Sequence, residues 1–152
     1  MKNPSTFLLL IFLVYYSCST TRDKHHDQRF EIIETAESLL HSPYRYGGKN
    51  PKGFDCSGFT QYVYHKAANI SLERSSKAQS KQGQKVSLKK AKAGDLVFFR
   101  KKGRIDHVGI IHKSSGKGIW MIHASSSRGI VSEEITSSKY WSKKLAFAKS
   151  YV

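Results

Sequence analysis

Apolar positions along this chain change period twice, and each change predicts a different kind of structure. Phe7 to Tyr16 is an unbroken apolar run of ten residues. That is too short to span a bilayer, which takes about 20, and it matches a secretory h-region. From Arg29 to His41, Ile32, Ile33, Ala36, Leu39 and Leu40 recur at helical spacing, predicting an amphipathic helix that Ser42-Pro43 ends. A glycine-rich segment from Tyr44 to Gly53 follows. Phe59, Tyr62, Val63 and Ala67 then return to helical spacing, so a second helix starts at or near Cys56. Ser75 to Gln82, closed by Gly83, predicts a short third helix with a serine N-cap. After Gly94 the pattern becomes that of strands: Leu96–Arg100, His107–His112, Ile119–Ala124, Gly129–Glu133 and Leu145–Val152, separated by short Gly, Ser and Lys turns. Helices first and strands later predict an α+β fold, with the helices packed on an antiparallel meander of about five strands.

The chain has 152 residues, enough for one core and no second domain. Ser17-Cys18 closes the apolar run, and Val14-Tyr15-Tyr16-Ser17-Cys18 resembles the cleavage signal of bacterial lipoproteins. That resemblance implies a signal peptide over 1–17 and a lipid on Cys18. Residues 18–28 are polar and suit a tether, and 29–152 form the expected folded domain. His25 and His26 fall in the tether without further spaced ligands, so no metal site is expected there.

Charge and cysteine usage narrow the chemistry. The formal net charge is +15, spread along the whole sequence rather than packed in one block. Such basicity implies acidic partners or simply solubility, and in an exported protein no nucleic-acid partner is expected. With Cys18 in the leader, Cys56 has no cysteine to pair with and must be explained alone. A lone cysteine is commonly a small buried hydrophobe. At a helix N-terminus it becomes a candidate nucleophile, because the free amides there favour the thiolate and a histidine partner can bring a thiol pKa to ~3.5–7.5.

The strand pattern supplies that partner. If the second and third strands pair through a five-residue loop, Lys113 to Lys117, His107 lies directly opposite His123 on one face. One ring then takes the thiol proton while the other orients it and supports the imidazolium. A one-residue slip would separate the two. His112 points to the opposite face, and His41 and His65 read as surface residues.

These residues lie in segments that closely resemble the NlpC family of papain-like cell-wall peptidases: Pro43-Tyr44-Arg45-Tyr46-Gly47-Gly48, Gly53-Phe54-Asp55-Cys56-Ser57-Gly58-Phe59, Ala93-Gly94-Asp95-Leu96-Val97-Phe98-Phe99, Asp106-His107-Val108-Gly109-Ile110 and Met121-Ile122-His123-Ala124. The resemblance covers about residues 30 to 152. It implies a papain-like fold and a Cys56–His107–His123 triad. It also implies that Tyr44 lies beside the nucleophile, where its hydroxyl helps hold substrate or the developing oxyanion, and that Asp55 and Ser57 line the substrate cleft. Ordinary roles stand beside these: Tyr44 as a packing aromatic, Asp55 or Ser57 as caps of the second helix. Tyr46 stands where many members carry Trp, and Glu73 where a Pro is common.

The expected activity is thiol-dependent hydrolysis of amide bonds in peptidoglycan stem peptides, in particular the γ-D-glutamyl-diaminopimelate bond. Opening of the D-alanyl-diaminopimelate cross-link, acyl transfer and inactive wall binding are the alternatives. No metal or organic cofactor is called for. The chain is expected to act as a monomer in the cell envelope, anchored through Cys18 to the outer membrane and facing the periplasm.

Overall fold

The computed structural model describes residues 24–152. Cys18 and the apolar run before it lie outside the described residues.

Helix α1 occupies 24–38, so helical structure already begins before Arg29. Its apolar face buries Ile32 and Ala36, and Leu39 is buried in the turn that follows. At His41 the backbone turns to a positive φ of 70° ahead of Pro43, and the chain crosses to the sheet through His41 N–H to Ile130 C=O at 2.9 Å and Ile130 N–H to Ser42 C=O at 2.9 Å.

The glycine-rich segment is not loose. A small antiparallel pair, β1 (Lys49–Asn50) and β2 (Gly53–Phe54), folds it back on itself. Asp55 N–H then donates to Gly48 C=O at 3.0 Å. The Gly48 carbonyl presses so closely on the next turn that a Cβ at Gly58 would sit 2.0 Å from its oxygen. Only glycine fits there, and that contact fixes the entry of the second helix.

Helix α2 (Cys56–Ala68) is capped by Asp55, whose side chain accepts from the Gly58 amide, and ends at Asn69 in the left-handed conformation. Phe59, Val63 and Tyr64 are fully buried. Each such side chain stabilises the fold by roughly 1.5–3 kcal/mol through area removed from water. Helix α3 (Ser76–Gln79) is shorter than its sequence suggests, with Ser75 as the expected N-cap.

The main sheet has six strands: β3 (Gln84–Val86), β4 (Leu96–Lys101), β5 (Arg104–Ser115), β6 (Gly118–Ser125), β7 (Gly129–Glu134) and β8 (Leu145–Ser150), in the order β3-β8-β4-β5-β6-β7. All neighbours are antiparallel. The meander expected from sequence holds for β4 to β7, but β8 returns to the far side of β4, with β3 outside it. β3 was not expected: three residues, with Gln84 and Lys85 exposed, carry too little pattern to read as a strand.

Both sheet faces are covered. Leu96, Phe98, Val108, Ile110, Ile122 and Ala124 pack with α1 and α2. Val97, Phe99, Ile111 and Met121 pack on the other side with Ile135, Trp141 and Leu145. Two-sided burial is why these central strands read as continuous apolar runs rather than as alternation.

Candidate active site

Cys56 is the first residue of α2, directly after the Asp55 cap, and it is a free, half-buried thiol. Burial pushes the thiol up to about 11, and the Asp55 carboxylate adds to the rise; the backbone amides of Val108 and Ser57 act the other way and are outweighed. The helix N-terminus therefore does not give the low thiol pKa expected of that position. Burial of the sulfur is the main reason, and the cap adds to it: Asp55 takes up the Gly58 amide at 2.6 Å and sets a negative charge beside the sulfur. In the free protein the proton rests on Cys56.

His107 sits on β5 opposite Phe99 of β4, and His123 is buried on β6. Their rings meet, with His107 Nε2 2.9 Å from His123 Nδ1 and the planes at 84°. The route to this contact differs from the expected register. β5 and β6 pair as Ile110↔Ile122 and Ile111↔Met121, then, after an irregularity at His112, as Lys113↔Trp120 through Ser115↔Gly118. The hairpin loop is thus Gly116-Lys117, not five residues. Continuing the ladder one step from Ile110 sets Gly109, not His107, across from His123. The shift is two residues, which keeps both histidines on the same face, and the diagonal separation of such neighbours lies within reach of two rings.

Burial holds the His107 imidazole down to about 3, with His123 and Lys144 contributing and Asp106 opposing. Burial likewise holds His123 down to about 4, with the Arg128 charge contributing. Both rings are neutral at neutral pH, so each keeps one nitrogen able to accept a proton. Trp141 covers the pair: its ring stacks on His107 with centroids 5.2 Å apart and 25° between planes, and meets His123 edge-on at 5.1 Å.

Cys56, His107, His123 and Tyr44 all line one cleft of about 1270 Å³. Tyr44 is half-buried against the main core. Its hydroxyl is pushed up by burial and by the charges of Cys56 and Asp55, which places it in the field of the thiol. Asp55 and Ser57 also line the cleft, and both serve the helix start. Burial alone would raise the Asp55 carboxyl, but bonds from Arg74, Gly58 and Ser57 together with the Arg74 charge hold it below the usual carboxylate range.

Two wall residues were not singled out from sequence. Arg74 grips Asp55 with both guanidinium nitrogens, 2.6 Å to Oδ2 and 3.0 Å to Oδ1, and reaches the Ser57 hydroxyl at 3.1 Å. No spacing rule joins residues 55 and 74. Trp141 comes from an irregular segment before β8, where no period marks it.

The remaining histidines stand apart. His112 bonds Glu37 of α1 at 2.7 Å and Ser132 at 3.1 Å on the opposite face. His41 and His65 are exposed. Among the described residues no group of three or more His, Cys, Asp or Glu side chains is arranged to hold a metal ion.

The chain is 49% identical over 79 residues to a probable endopeptidase p60 of Listeria monocytogenes, covering 52% of this chain and 16% of that protein. It is 39% identical over 117 residues to a gamma-DL-glutamyl hydrolase of Bacillus subtilis, covering 75% of this chain and 27% of that protein. The chain thus spans under a third of either relative's length. The crystal structure of the NlpC/p60 domain of the peptidoglycan hydrolase SagA superposes with a TM-score of 0.67 at 34% identity, covering 80% of this chain and 97% of that one. The NlpC/P60 family profile matches residues 41–150, well over half of the chain, and this protein belongs to the NlpC/P60 family.

Proposed function

We propose that the chain is a cysteine peptidase that hydrolyses amide bonds in the peptide stems of peptidoglycan. The observation that carries this reading is the opening of Cys56 and the coupled His107–His123 pair onto one cleft. Cys56 transfers its proton to His107 as its sulfur attacks the stem carbonyl carbon. The oxyanion that forms is held by backbone N–H at the start of α2 and by the Tyr44 hydroxyl. Collapse breaks the C–N bond, and the leaving amine takes the proton from His107. Water then attacks the thioester, gives a proton to His107, and releases the acid as the proton returns to sulfur.

The favoured bond joins γ-D-glutamate to diaminopimelate. A likeness to a protein named for γ-glutamyl hydrolysis supports that choice. So does the cleft wall, where Arg100 and Lys101 offer positive charge to the free carboxylates of a stem. An N-terminal lipid on Cys18 would hold the enzyme near its membrane, in the outer membrane facing the periplasm.

The test is to offer the full chain two substrates side by side, the tripeptide L-Ala-γ-D-Glu-diaminopimelate and a cross-linked stem dimer, and to identify products by mass spectrometry. Release of the L-Ala-D-Glu dipeptide is expected. Opening of the cross-link alone would refute the bond assignment, and transfer of the acyl group to an added amine would refute hydrolysis.

A further inference from the structure

The His107–His123 pair does not end at His123. Its second nitrogen, Nε2, is buried and has no hydrogen-bond partner, and the Glu133 carboxylate lies beside it, with Oε2 at 3.4 Å. Glu133 lies on β7, on the strand that pairs with β6. Its carboxylate is fixed from two further sides: Trp141 Nε1 donates to Oε2 at 2.6 Å, and Arg128 is ion-paired with Oε1. The tryptophan that covers both imidazoles therefore also anchors this carboxylate.

The geometry points to Glu133 as a positioning residue that fixes His123 in its Nε2–H tautomer and so sets which nitrogen of His107 takes the thiol proton. An ionised carboxylate only accepts, so with Glu133 Oε2 3.4 Å away the favoured place for the His123 hydrogen is Nε2, where it faces the negative charge. A neutral His123 protonated there presents Nδ1 as an acceptor, and the contact at 2.9 Å then requires His107 Nε2 to donate. That leaves Nδ1 of His107 as the unprotonated nitrogen. Once His107 takes the proton, its Nε2–H still donates to His123, and the Glu133 charge lies at the far end of the chain of bonds to stabilise the imidazolium. With the opposite tautomer of His123, two N–H groups would face each other unless His107 also reversed, and His107 would lose its basic Nδ1.

This inference rests on the hydrolase reading for its catalytic consequence, but its first readout needs no substrate. The full chain, labelled with 15N, is measured by long-range 1H–15N correlation at pH 7, with His107→Gln and His123→Gln spectra assigning the rings. The expected wild-type pattern is His123 protonated at Nε2 and unprotonated at Nδ1. Glu133→Gln keeps the volume and an acceptor for Trp141, but its amide can donate to His123. It is expected to move His123 towards the Nδ1–H form and to lower kcat for stem-peptide hydrolysis by about 10–100-fold, with KM nearly unchanged. A wild-type His123 carrying its proton on Nδ1 overturns the proposal even if the variant fails to fold. A folded Glu133→Gln protein with wild-type tautomer and kcat overturns it as well, and a changed tautomer with wild-type kcat overturns its link to catalysis. If wild type cleaves no stem peptide, the hydrolase reading falls while the tautomer measurement still decides the role of Glu133.

Discussion

Gly109 faces His123 across the β5–β6 pair, so closely that a Cβ on Gly109 would lie 3.1 Å from the His123 Cβ and 2.8 Å from the Met121 sulfur. Opposed side chains in a sheet ordinarily keep their Cβ atoms about 4.5–5.5 Å apart. The missing side chain lets the His123 ring lean along the sheet towards His107, and the diagonal pair depends on it.

Gly109→Val is therefore expected to displace His123, cutting kcat at least tenfold and destabilising the fold by about 1–3 kcal/mol through overpacking. Paired measurements of kcat and the urea midpoint check this. Wild-type kcat in the folded variant would mean that the diagonal contact is not needed.

The two imidazoles predict an acid-sensitive fold. Folding depresses both, His107 to about 3 and His123 to about 4, from an unfolded value near 6.5. Above pH 6.5 neither state binds the protons and stability is unaffected. As pH falls below 6.5 the unfolded chain takes up protons that the folded one refuses, so stability is lost until the folded values are reached, at up to about 1.4 kcal/mol per pH unit for each ring. Urea unfolding from pH 7 to pH 5 should show this slope in wild type and a much smaller one in a His107→Asn/His123→Asn double variant. Parallel curves would contradict the assignment. The Asp55 carboxyl, held low rather than high, acts in a separate window below about pH 4.

Asp55 joins the helix start to the cleft. Asp55→Ala removes the N-cap of α2, at a cost of about 0.5–2 kcal/mol, and strands the Arg74 guanidinium. Arg74→Ala should cost less, because that side chain is 42% exposed and the pair is partly screened. Thermal unfolding of the two variants should rank Asp55→Ala below Arg74→Ala, and the reverse order would show that the ion pair outweighs the cap.

Local patterns carried much of this structure. Cys56 at a helix start was legible because Asp55 and the helical spacing of Phe59, Tyr62 and Val63 mark the same boundary. The central strands were legible as apolar runs. The pairing of His107 with His123 came through with the wrong register, because the irregularity at His112 shortens the hairpin loop without changing the parity of the face. β8 was legible as a strand but its place beside β4 was not, since strand order depends on which edge offers apolar surface. Arg74, Glu133 and Trp141 reach the site only through tertiary contacts, and neither spacing nor period marks such residues.

The most direct test of the central claim is turnover of purified stem peptides by the full chain, wild type beside Cys56→Ala, with products identified by mass spectrometry and folding followed by the unfolding midpoint. The account predicts cleavage by wild type and, in a variant that remains folded, a loss on the order of 10⁴-fold or more. Comparable cleavage by Cys56→Ala would contradict it.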